Sequence, residues 1–168
     1  MAADLQEEAQ LAWIGLGANL GDARNALCTA VRSIAALPQT RVLQLSSLYR
    51  SAPVDAGGPD YFNAVAVAAT RLAALELLDA LQAIELAAGR ERPYRNAPRT
   101  LDLDLLRFGD LQMQSERLTL PHPRMLERAF VLHPMAELPG AGVTAAQLAS
   151  VADQRIEAVA APGDWYRL

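Results

Sequence analysis

The chain has 168 residues, 52% of them hydrophobic, with 15 basic against 19 acidic side chains and a net charge of −4. This length and composition predict one soluble globular domain, and the acidic balance argues against a general nucleic-acid binder. Every basic residue is arginine, which excludes lysine chemistry such as a Schiff base or a phosphate-loop amine. Cys28 is the only cysteine, so an internal disulfide and a multi-cysteine metal cluster are excluded.

The N-terminus lacks the features of a targeting signal. Asp4, Glu7 and Glu8 stand where a secretory signal would have a basic start and an apolar run, and no later segment reaches the roughly 18 apolar residues of a membrane span. We expect residues 1–10 to be a disordered tail and residues 11–168 to be the single domain. We also expect a cytoplasmic monomer without a nucleic-acid or membrane partner.

The first part of the chain predicts a strand, a helix and a two-stranded hairpin. Residues 11–16 are an apolar run typical of a strand, Asp22 occupies an N-cap position, and helical spacing continues until Pro38 forbids it. Strands are predicted over residues 41–49 and 61–70, with a Pro- and Gly-rich loop between them. We interpret the glycines at 15, 17 and 21 as a tight turn from strand to helix, because the Walker lysine and the dinucleotide spacing are absent.

The next part completes a recognisable order of elements. Residues 73–88 predict a helix with an apolar stripe, Gly89 closes it, a charged loop covers residues 90–98, and strict alternation over residues 101–105 predicts a strand. The resulting βαββαβ order is the ferredoxin-like α+β fold, an antiparallel four-stranded sheet with two helices on one face. Residues 118–120 are a candidate additional strand, residues 128–137 and 144–151 are candidate helices, and Trp165 is a candidate packing anchor.

Two acidic residues on the last predicted strand are the clearest chemical signal. Asp102 and Asp104 are two positions apart, so their carboxylates lie on one face of the strand, about 7 Å apart. Hard oxygen ligands beside arginines suit Mg²⁺ that bridges phosphate oxygens, and Arg99 adds a cation of the kind that phosphoryl transfer requires. The alternative is the polar outer face of a half-exposed strand.

Other candidates are weaker by themselves. Arg90, Arg92 and Arg95 lie on a loop suited to bidentate phosphate binding, although solvated loop charges would have the same pattern. His122 lies between two prolines, but two histidines without cysteine are a weak zinc signal. Tyr61 and Phe130 are equally consistent with packing, since aromatic residues make up only 5% of the chain.

Together these motifs resemble the 6-hydroxymethyl-7,8-dihydropterin pyrophosphokinase family over residues 13 to about 138. The matching blocks are GLGANLG (15–21), SSLYRS (46–51), PDYFN (59–63), PRTLDLD (98–104), LTLPH (118–122) and RAF (128–130). The resemblance implies transfer of pyrophosphate from ATP to the hydroxymethyl oxygen of the pterin, with release of AMP, as a step of folate biosynthesis. It also implies two Mg²⁺ ions as cofactors, with ATP as the second small-molecule substrate.

The resemblance further implies roles for individual residues. Asp102 and Asp104 would bind the metal ions and, with Arg90 and Arg99, form the catalytic set. The residues that would bind ATP are Gln82, Glu85, Arg90, Arg92, Arg99, Arg117, His122 and Arg128. The residues that would bind the pterin are Ser51, Pro53, Val54, Tyr61, Asn63 and Phe130, with Tyr61 and Phe130 stacking on the ring and Asn63 pairing with its polar edge.

The chain departs from the family pattern mainly in the second loop. Asn96 stands near a position where many members have tryptophan, Ala97 replaces a glycine, and Pro123 follows His122 where an aromatic residue is frequent. The loops over residues 52–60 and 90–98 are nevertheless expected to close over the substrates. Two other classes remain open from the residues alone: a non-catalytic ferredoxin-like module that binds pterin or nucleotide, and an RNA-binding module, which the acidic charge disfavours.

Overall fold

The structure, a computed structural model, describes residues 8–53, 58–89 and 101–168. The strands and helices in chain order are β1 (Gln10–Ala18), α1 (Ala23–Ala35), β2 (Thr40–Leu45), β3 (Leu48–Ser51), β4 (Tyr61–Thr70), α2 (Ala74–Ala88), β5 (Asp102–Phe108), β6 (Met113–Gln114), β7 (Thr119–Leu120), α3 (Ala129–Ala136), α4 (Ala145–Ser150), β8 (Ile156–Ala160) and α5 (Pro162–Trp165). The predicted βαββαβ order is confirmed, except that its second strand is divided into β2 and β3. Of the tail expected over residues 1–10, residues 1–7 lie outside the described ranges. Gln10 is already the first residue of β1.

The main sheet is antiparallel and has β1 and β4 at its centre. Its order is β5-β1-β4-β3-β8, and β2 also pairs with β4. The ends of α1 agree with the sequence signals, because Asp22 Oδ1 accepts a hydrogen bond from the Asn25 N–H at 3.1 Å and the helix stops before Pro38. Gly89 is the C-cap of α2, as predicted. Among the described helices none is both long and apolar enough to cross a bilayer.

The strand predicted over residues 41–49 is wrong as one continuous element. It is divided into β2 and β3, which both pair with β4. At the break, Ser46 Oγ accepts a hydrogen bond from the Val65 N–H at 2.9 Å, and the Ser47 N–H turns away from the sheet to the Glu137 carboxylate. The Ser46 N–H still donates to Val65 O at 2.9 Å, but the Ser47 N–H has a side-chain partner instead of a strand partner, which the alternation of apolar residues does not reveal.

The two faces of the sheet pack against different helices. On one face, alternate β1 residues such as Ile14 and Leu16 pack with Leu27 of α1 and Leu77 and Leu81 of α2. This is the predicted pair of helices on one side.

The opposite face is covered by α3 over only part of its area. There Trp13, Val65 and Leu106 pack with Val131 and Met135. Beyond the N-terminus of α3 the residues on this face change from large and apolar to glycine, asparagine and aspartate, and this end of the sheet stays open.

The C-terminal part confirms some expectations and corrects others. The candidate helices correspond to α3 and α4, each within one residue of the predicted ends, and Trp165 is buried with its indole N–H donating to Ser46 O at 2.9 Å. The candidate strand at 118–120 is confirmed over Thr119–Leu120 as β7, which among the described residues pairs with β6 in a separate two-stranded sheet. Strand β8 was not predicted, although it extends the main sheet next to β3.

Candidate active site

The open end of the sheet forms a cavity of about 1020 Å³. Its lining includes five of the six residues predicted to contact the pterin: Ser51, Pro53, Tyr61, Asn63 and Phe130. The sixth, Val54, lies outside the described residues. Asp102, Asp104 and Arg128 line the same cavity. The pairing of β1 with β4 and β5 places Asn63 and Asp102 on either side of Gly17. The pairing of β3 with β4 adds Ser51 beside Tyr61, and α3 contributes Phe130.

Two glycines of β1 form part of the cavity floor, which corrects their assignment to a turn. Gly15 and Gly17 lie inside the strand and pair with Asp104 and Asp102 across the β5 edge, whereas Gly21 alone has the positive φ, 60°, of a turn residue. A Cβ on Gly17 would be 3.2 Å from Asn63 Nδ2. The missing side chain is therefore what lets the Asn63 amide lie against β1. The two-residue spacing of these glycines is the sequence signal that indicates a shared strand face.

The Asn63 side chain is held in a fixed orientation. It is only 4% exposed, and its Oδ1 accepts a hydrogen bond from Ser51 Oγ at 2.6 Å. Since Oδ1 is the acceptor, the orientation of the carboxamide is determined, and Nδ2 lies towards the floor at Gly17. A buried amide fixed in this way is suited to recognition of a heterocycle edge that has an adjacent donor and acceptor.

The two aspartates lie side by side on the cavity face of β5. The leucines between and after them, Leu103 and Leu105, point to the helical layer, so the predicted shared face is confirmed. Leu106, two residues after Asp104, lies on the same face by the same alternation and packs with Trp13 and Val65, and the pairing with β1 has a bulge at Trp13 and Ile14. The carboxylates therefore mark the end of the apolar part of that face.

Arg128 links the acidic pair to the aromatic wall. Its Nη1 is 4.0 Å from Asp104 Oδ2, and its guanidinium carbon is 5.4 Å from the centre of the Phe130 ring. Asp104 is 43% exposed through its side chain, so one oxygen can face a ligand while the other faces Arg128. In such an exposed pair the direct attraction is small, and its effect is mainly to orient the two groups.

Two carboxylates on one strand face are a suitable donor set for Mg²⁺. Within residues 8–53, 58–89 and 101–168 there is no group of three or more His, Cys, Asp or Glu side chains placed to hold a metal ion. Mg²⁺ is usually held by one or two carboxylates with substrate phosphates and water completing the octahedron. The residues present fit that pattern and do not fit a closed zinc site.

A second, smaller cavity of about 320 Å³ lies on the other side of Asp104. It contains four of the predicted nucleotide contacts: Gln82, Glu85, Arg117 and His122. Glu85 Oε2 accepts a hydrogen bond from the Leu103 N–H at 3.2 Å, and Arg117 pairs with the Asp79 carboxylate. Because Asp104 lines both cavities, a molecule in the small cavity can meet one in the large cavity at this residue.

His122 at this junction has an environment that favours its neutral form. Burial lowers its pKa below the usual value; the Asp104 charge opposes the shift, and the Arg128 and Arg124 charges add to it. His122 Nδ1 accepts a hydrogen bond from the Arg124 N–H at 3.2 Å. An accepting Nδ1 leaves the ring proton on Nε2, so the imidazole can offer one donor to a ligand.

Some predicted residues cannot be placed, and some lining residues were missed. Arg90, Arg92 and Arg99, with the departures at Asn96 and Ala97, lie outside the described residues. The large cavity also includes Asn19, Arg124, Glu127, Gln154 and Arg155, none of which was predicted. The last two directly precede β8, and the pairing of that strand with β3, distant in the chain, helps to place them at the cavity.

Known proteins resemble this chain over most of its length. The family model described as 7,8-dihydro-6-hydroxymethylpterin-pyrophosphokinase (HPPK) matches residues 13–140. A 2-amino-4-hydroxy-6-hydroxymethyldihydropteridine pyrophosphokinase of Pseudomonas aeruginosa is 48% identical over 130 residues, which are 77% of this chain and 80% of that protein. The Synechocystis protein of the same name is 39% identical over 166 residues, 95% of this chain and 85% of its own.

A solved structure supports the fold. A crystal structure of Plasmodium falciparum HPPK-DHPS aligns with a TM-score of 0.56 at 14% identity and covers 76% of this chain. The aligned part is 41% of that longer chain. At this identity the likeness concerns the architecture alone.

Proposed function

The chain belongs to the 7,8-dihydro-6-hydroxymethylpterin-pyrophosphokinase (HPPK) family, and from that premise we propose that its large cavity holds the pterin and its small cavity the nucleotide. The family reaction transfers pyrophosphate from ATP to the pterin alcohol, a step of folate biosynthesis. The observation that carries the proposal is the position of Asp104, which lines both cavities. The reacting groups would meet beside the carboxylates of β5.

The pterin would be recognised by stacking and by one polar edge. Tyr61 and Phe130 line the large cavity and are half-buried, and flat aromatic faces attract a planar heterocycle. Asn63, held by Ser51, would pair with the edge of the ring. Pro53 and the adjoining Val54 would complete the wall.

The nucleotide would extend from the small cavity towards Asp104. Gln82 and Glu85 would contact the adenosine part, and Arg117 and His122 would contact polar groups nearer the junction. The described part of the large cavity has three acids and three arginines: Asp102, Asp104, Glu127, Arg124, Arg128 and Arg155. Charge there is balanced, so ATP with about four negative charges requires further cations. We assign that role to Arg90, Arg92 and Arg99.

Magnesium fits the donor set at Asp102 and Asp104, and we propose two ions held there. When bound, they would neutralise phosphate oxygens and help to align the triphosphate. In the transfer itself, the hydroxymethyl oxygen would attack the β-phosphorus in line. The bond from the β-phosphorus to the bridging oxygen of the α-phosphate would break, AMP would leave with that oxygen, and the hydroxyl proton would pass to solvent. Arg128, beside Asp104, would stabilise charge on the transferred group.

A product assay tests this assignment. ATP, reduced 6-hydroxymethylpterin and Mg²⁺ should give AMP and the pterin diphosphate in equal amounts. Asp104→Asn, which keeps the side-chain shape and removes the charge, should lower turnover by at least about 100-fold. Asp110→Asn is the matched control, because Asp110 is exposed in the turn after β5 and lines neither cavity. Formation of ADP, or equal activity of the two variants, would contradict the assignment.

We also propose that the enzyme is a cytoplasmic monomer that does not bind nucleic acid. The net charge of −4 argues against nucleic-acid binding. Cys28, the only cysteine, is a half-buried free thiol with its Sγ 3.2 Å from Trp165 O, which fits a reducing compartment such as the cytoplasm. Sedimentation at micromolar concentration should give the mass of one chain, 18.1 kDa.

A further inference from the structure

A glutamine outside the family match contacts the backbone on both sides of Arg128. Gln154 Oε1 accepts a hydrogen bond from the Ala129 N–H at 2.9 Å, and Gln154 Nε2 donates to Glu127 O at 2.8 Å. In an antiparallel sheet, an adjacent strand bonds the same two groups, the C=O before and the N–H after an extended residue. Arg128 is indeed extended, with φ −123° and ψ 115°. The carboxamide thus acts as a one-residue strand partner for Arg128.

The same contact replaces a missing helix cap. Arg128 is the N-cap residue of α3, and its side chain makes no capping hydrogen bond. The first N–H groups of a helix have no partner within the helix, and Ala129, whose N–H is the first of them, is only 2% exposed. Gln154, 25 residues later in the chain, provides the acceptor. Loss of this side chain would leave the start of α3 free to change direction.

The position of Gln154 is itself fixed from the opposite wall of the cavity. The Gln154 N–H donates to Val151 O at 3.0 Å at the end of α4. Two residues further on, Ile156 opens β8 and pairs with Ser51, the residue that orients Asn63. The carboxamide therefore connects the start of α3 to the edge of the main sheet.

We propose that Gln154 is a positioning residue for the transfer reaction. By holding the Arg128 backbone extended, it directs the guanidinium to its place between Asp104 and the Phe130 ring. The proposal rests on the role proposed above for Arg128. It extends the functional residues beyond positions 13–140, which the family model matches.

Kinetics of Gln154→Ala test the proposal directly. Misplacement of a reacting or stabilising group by about 1 Å costs about 10- to 100-fold in rate, so kcat/KM for the pterin should fall by that factor, while KM for ATP changes less than about threefold. The kinetic constants are calculated per folded molecule, because a loss of stability lowers the fraction of folded enzyme but does not change kcat or KM of the molecules that are folded. Gln154→Glu keeps the acceptor for the Ala129 N–H and loses the donor to Glu127 O, so it should lie between wild type and Gln154→Ala.

The matched control is Gln147→Ala. Gln147 is a half-buried glutamine of the same C-terminal segment, and its Oε1 accepts from the Thr144 N–H at 2.9 Å. It lines neither cavity. Its loss removes an identical carboxamide and one helix cap, and the kinetic constants should remain those of wild type. If both glutamine variants lower kcat/KM equally, the effect is general to the segment and the proposal is wrong.

A double-mutant cycle with Arg128→Ala shows whether Gln154 acts through Arg128. If it does, adding Gln154→Ala to Arg128→Ala changes kcat/KM by less than about twofold, since coupled residues are not additive. Multiplied losses would refute the proposal. The single variants separate the role of Gln154 from the role of Arg128. If Arg128→Ala is inactive while Gln154→Ala is fully active, only the role of Gln154 is wrong. If Arg128→Ala is fully active, the role assigned to Arg128 is wrong, and the role of Gln154 that depends on it is wrong as well.

Discussion

Replacement of Gly17 by alanine tests how the cavity floor controls Asn63, the amide proposed to bind the pterin. A Cβ at this position would lie 3.2 Å from Asn63 Nδ2, against about 3.5–4.0 Å for an unstrained contact. The amide must therefore retreat by a few tenths of an ångström. Gly17 lies in a strand without a positive φ, so the alanine adds no backbone strain and the amide alone must move.

The cost follows from the packing of Asn63. The side chain is 4% exposed and is bonded to Ser51 Oγ at 2.6 Å, so it cannot shift without weakening that hydrogen bond. A hydrogen bond of this kind contributes about 0.5–1.5 kcal/mol net. The Ser51 hydrogen bond is present with and without ligand, so the effect on affinity comes from the matching hydrogen bond between the displaced amide and the pterin edge. If most of a hydrogen bond of that strength is lost on binding, pterin affinity falls by about 2- to 10-fold.

Gly15→Ala is the matched control on the same strand face. Its Cβ would meet Leu106 Cδ1 at 3.5 Å, an ordinary contact, and would not touch Asn63. Calorimetric titration of the pterin in the presence of an unreactive ATP analogue should give weaker binding for Gly17→Ala and binding within about twofold of wild type for Gly15→Ala. In an Asn63→Ala background, Gly17→Ala should have no further effect. Equal losses for the two glycine variants would refute the reasoning, because they would show that any methyl group on the floor obstructs the ligand.

Three further outcomes concern the aromatic residues. Tyr61→Ala and Phe130→Ala should each weaken pterin binding by about 0.5–1.5 kcal/mol beyond the lost area and leave ATP binding nearly unchanged; equal losses for both ligands in titrations would indicate a structural role instead. Trp165→Ala should lower the free energy of unfolding by about 3–5 kcal/mol in urea denaturation, because the indole is 5% exposed and bonded, and a loss below about 1 kcal/mol would contradict its role as an anchor. Burial, with the hydrogen bond to Glu137 and its charge, raises the pKa of Tyr49. The unfolded tyrosine ionises near pH 10 while the folded one keeps its proton, so the folded state loses stability relative to the unfolded state as the pH rises above about 10. Between pH 10 and 11 the free energy of unfolding of wild type should fall by about 1 kcal/mol more than that of Tyr49→Phe. Parallel curves of unfolding free energy against pH would disprove the shift.

The chemistry of the site was readable in the sequence where short-range patterns carry it. The alternation of leucine and aspartate over residues 101–105 places Asp102 and Asp104 on one strand face, which the structure confirms. Asp22 and Gly89 mark the ends of helices because caps satisfy backbone groups a few residues away. The roles of the predicted pterin and nucleotide contacts stay predictions, although the described ones line the two cavities.

The errors share a physical cause. The break at Ser46 and Ser47 depends on Val65 and Glu137, which are distant in the chain. Gly15 and Gly17 were assigned to a turn because glycine favours turns locally, whereas both lie inside β1, where Gly17 makes room for Asn63 and Gly15 faces Leu106. Strand β8 was missed because its place in the main sheet depends on its pairing with β3, which is distant in the chain.

The amino-acid order by itself thus determined the succession of helices and strands, the shared face of the two aspartates and the family resemblance, since each depends on periodicity or on contiguous motifs. Tertiary structure alone decided that Asp104 joins two cavities, that α3 leaves one end of the sheet open, and that Gln154 reaches the backbone around Arg128. These features depend on strand partners and helix placement, which are set by contacts between residues far apart in the chain. No local pattern of side chains encodes such contacts directly.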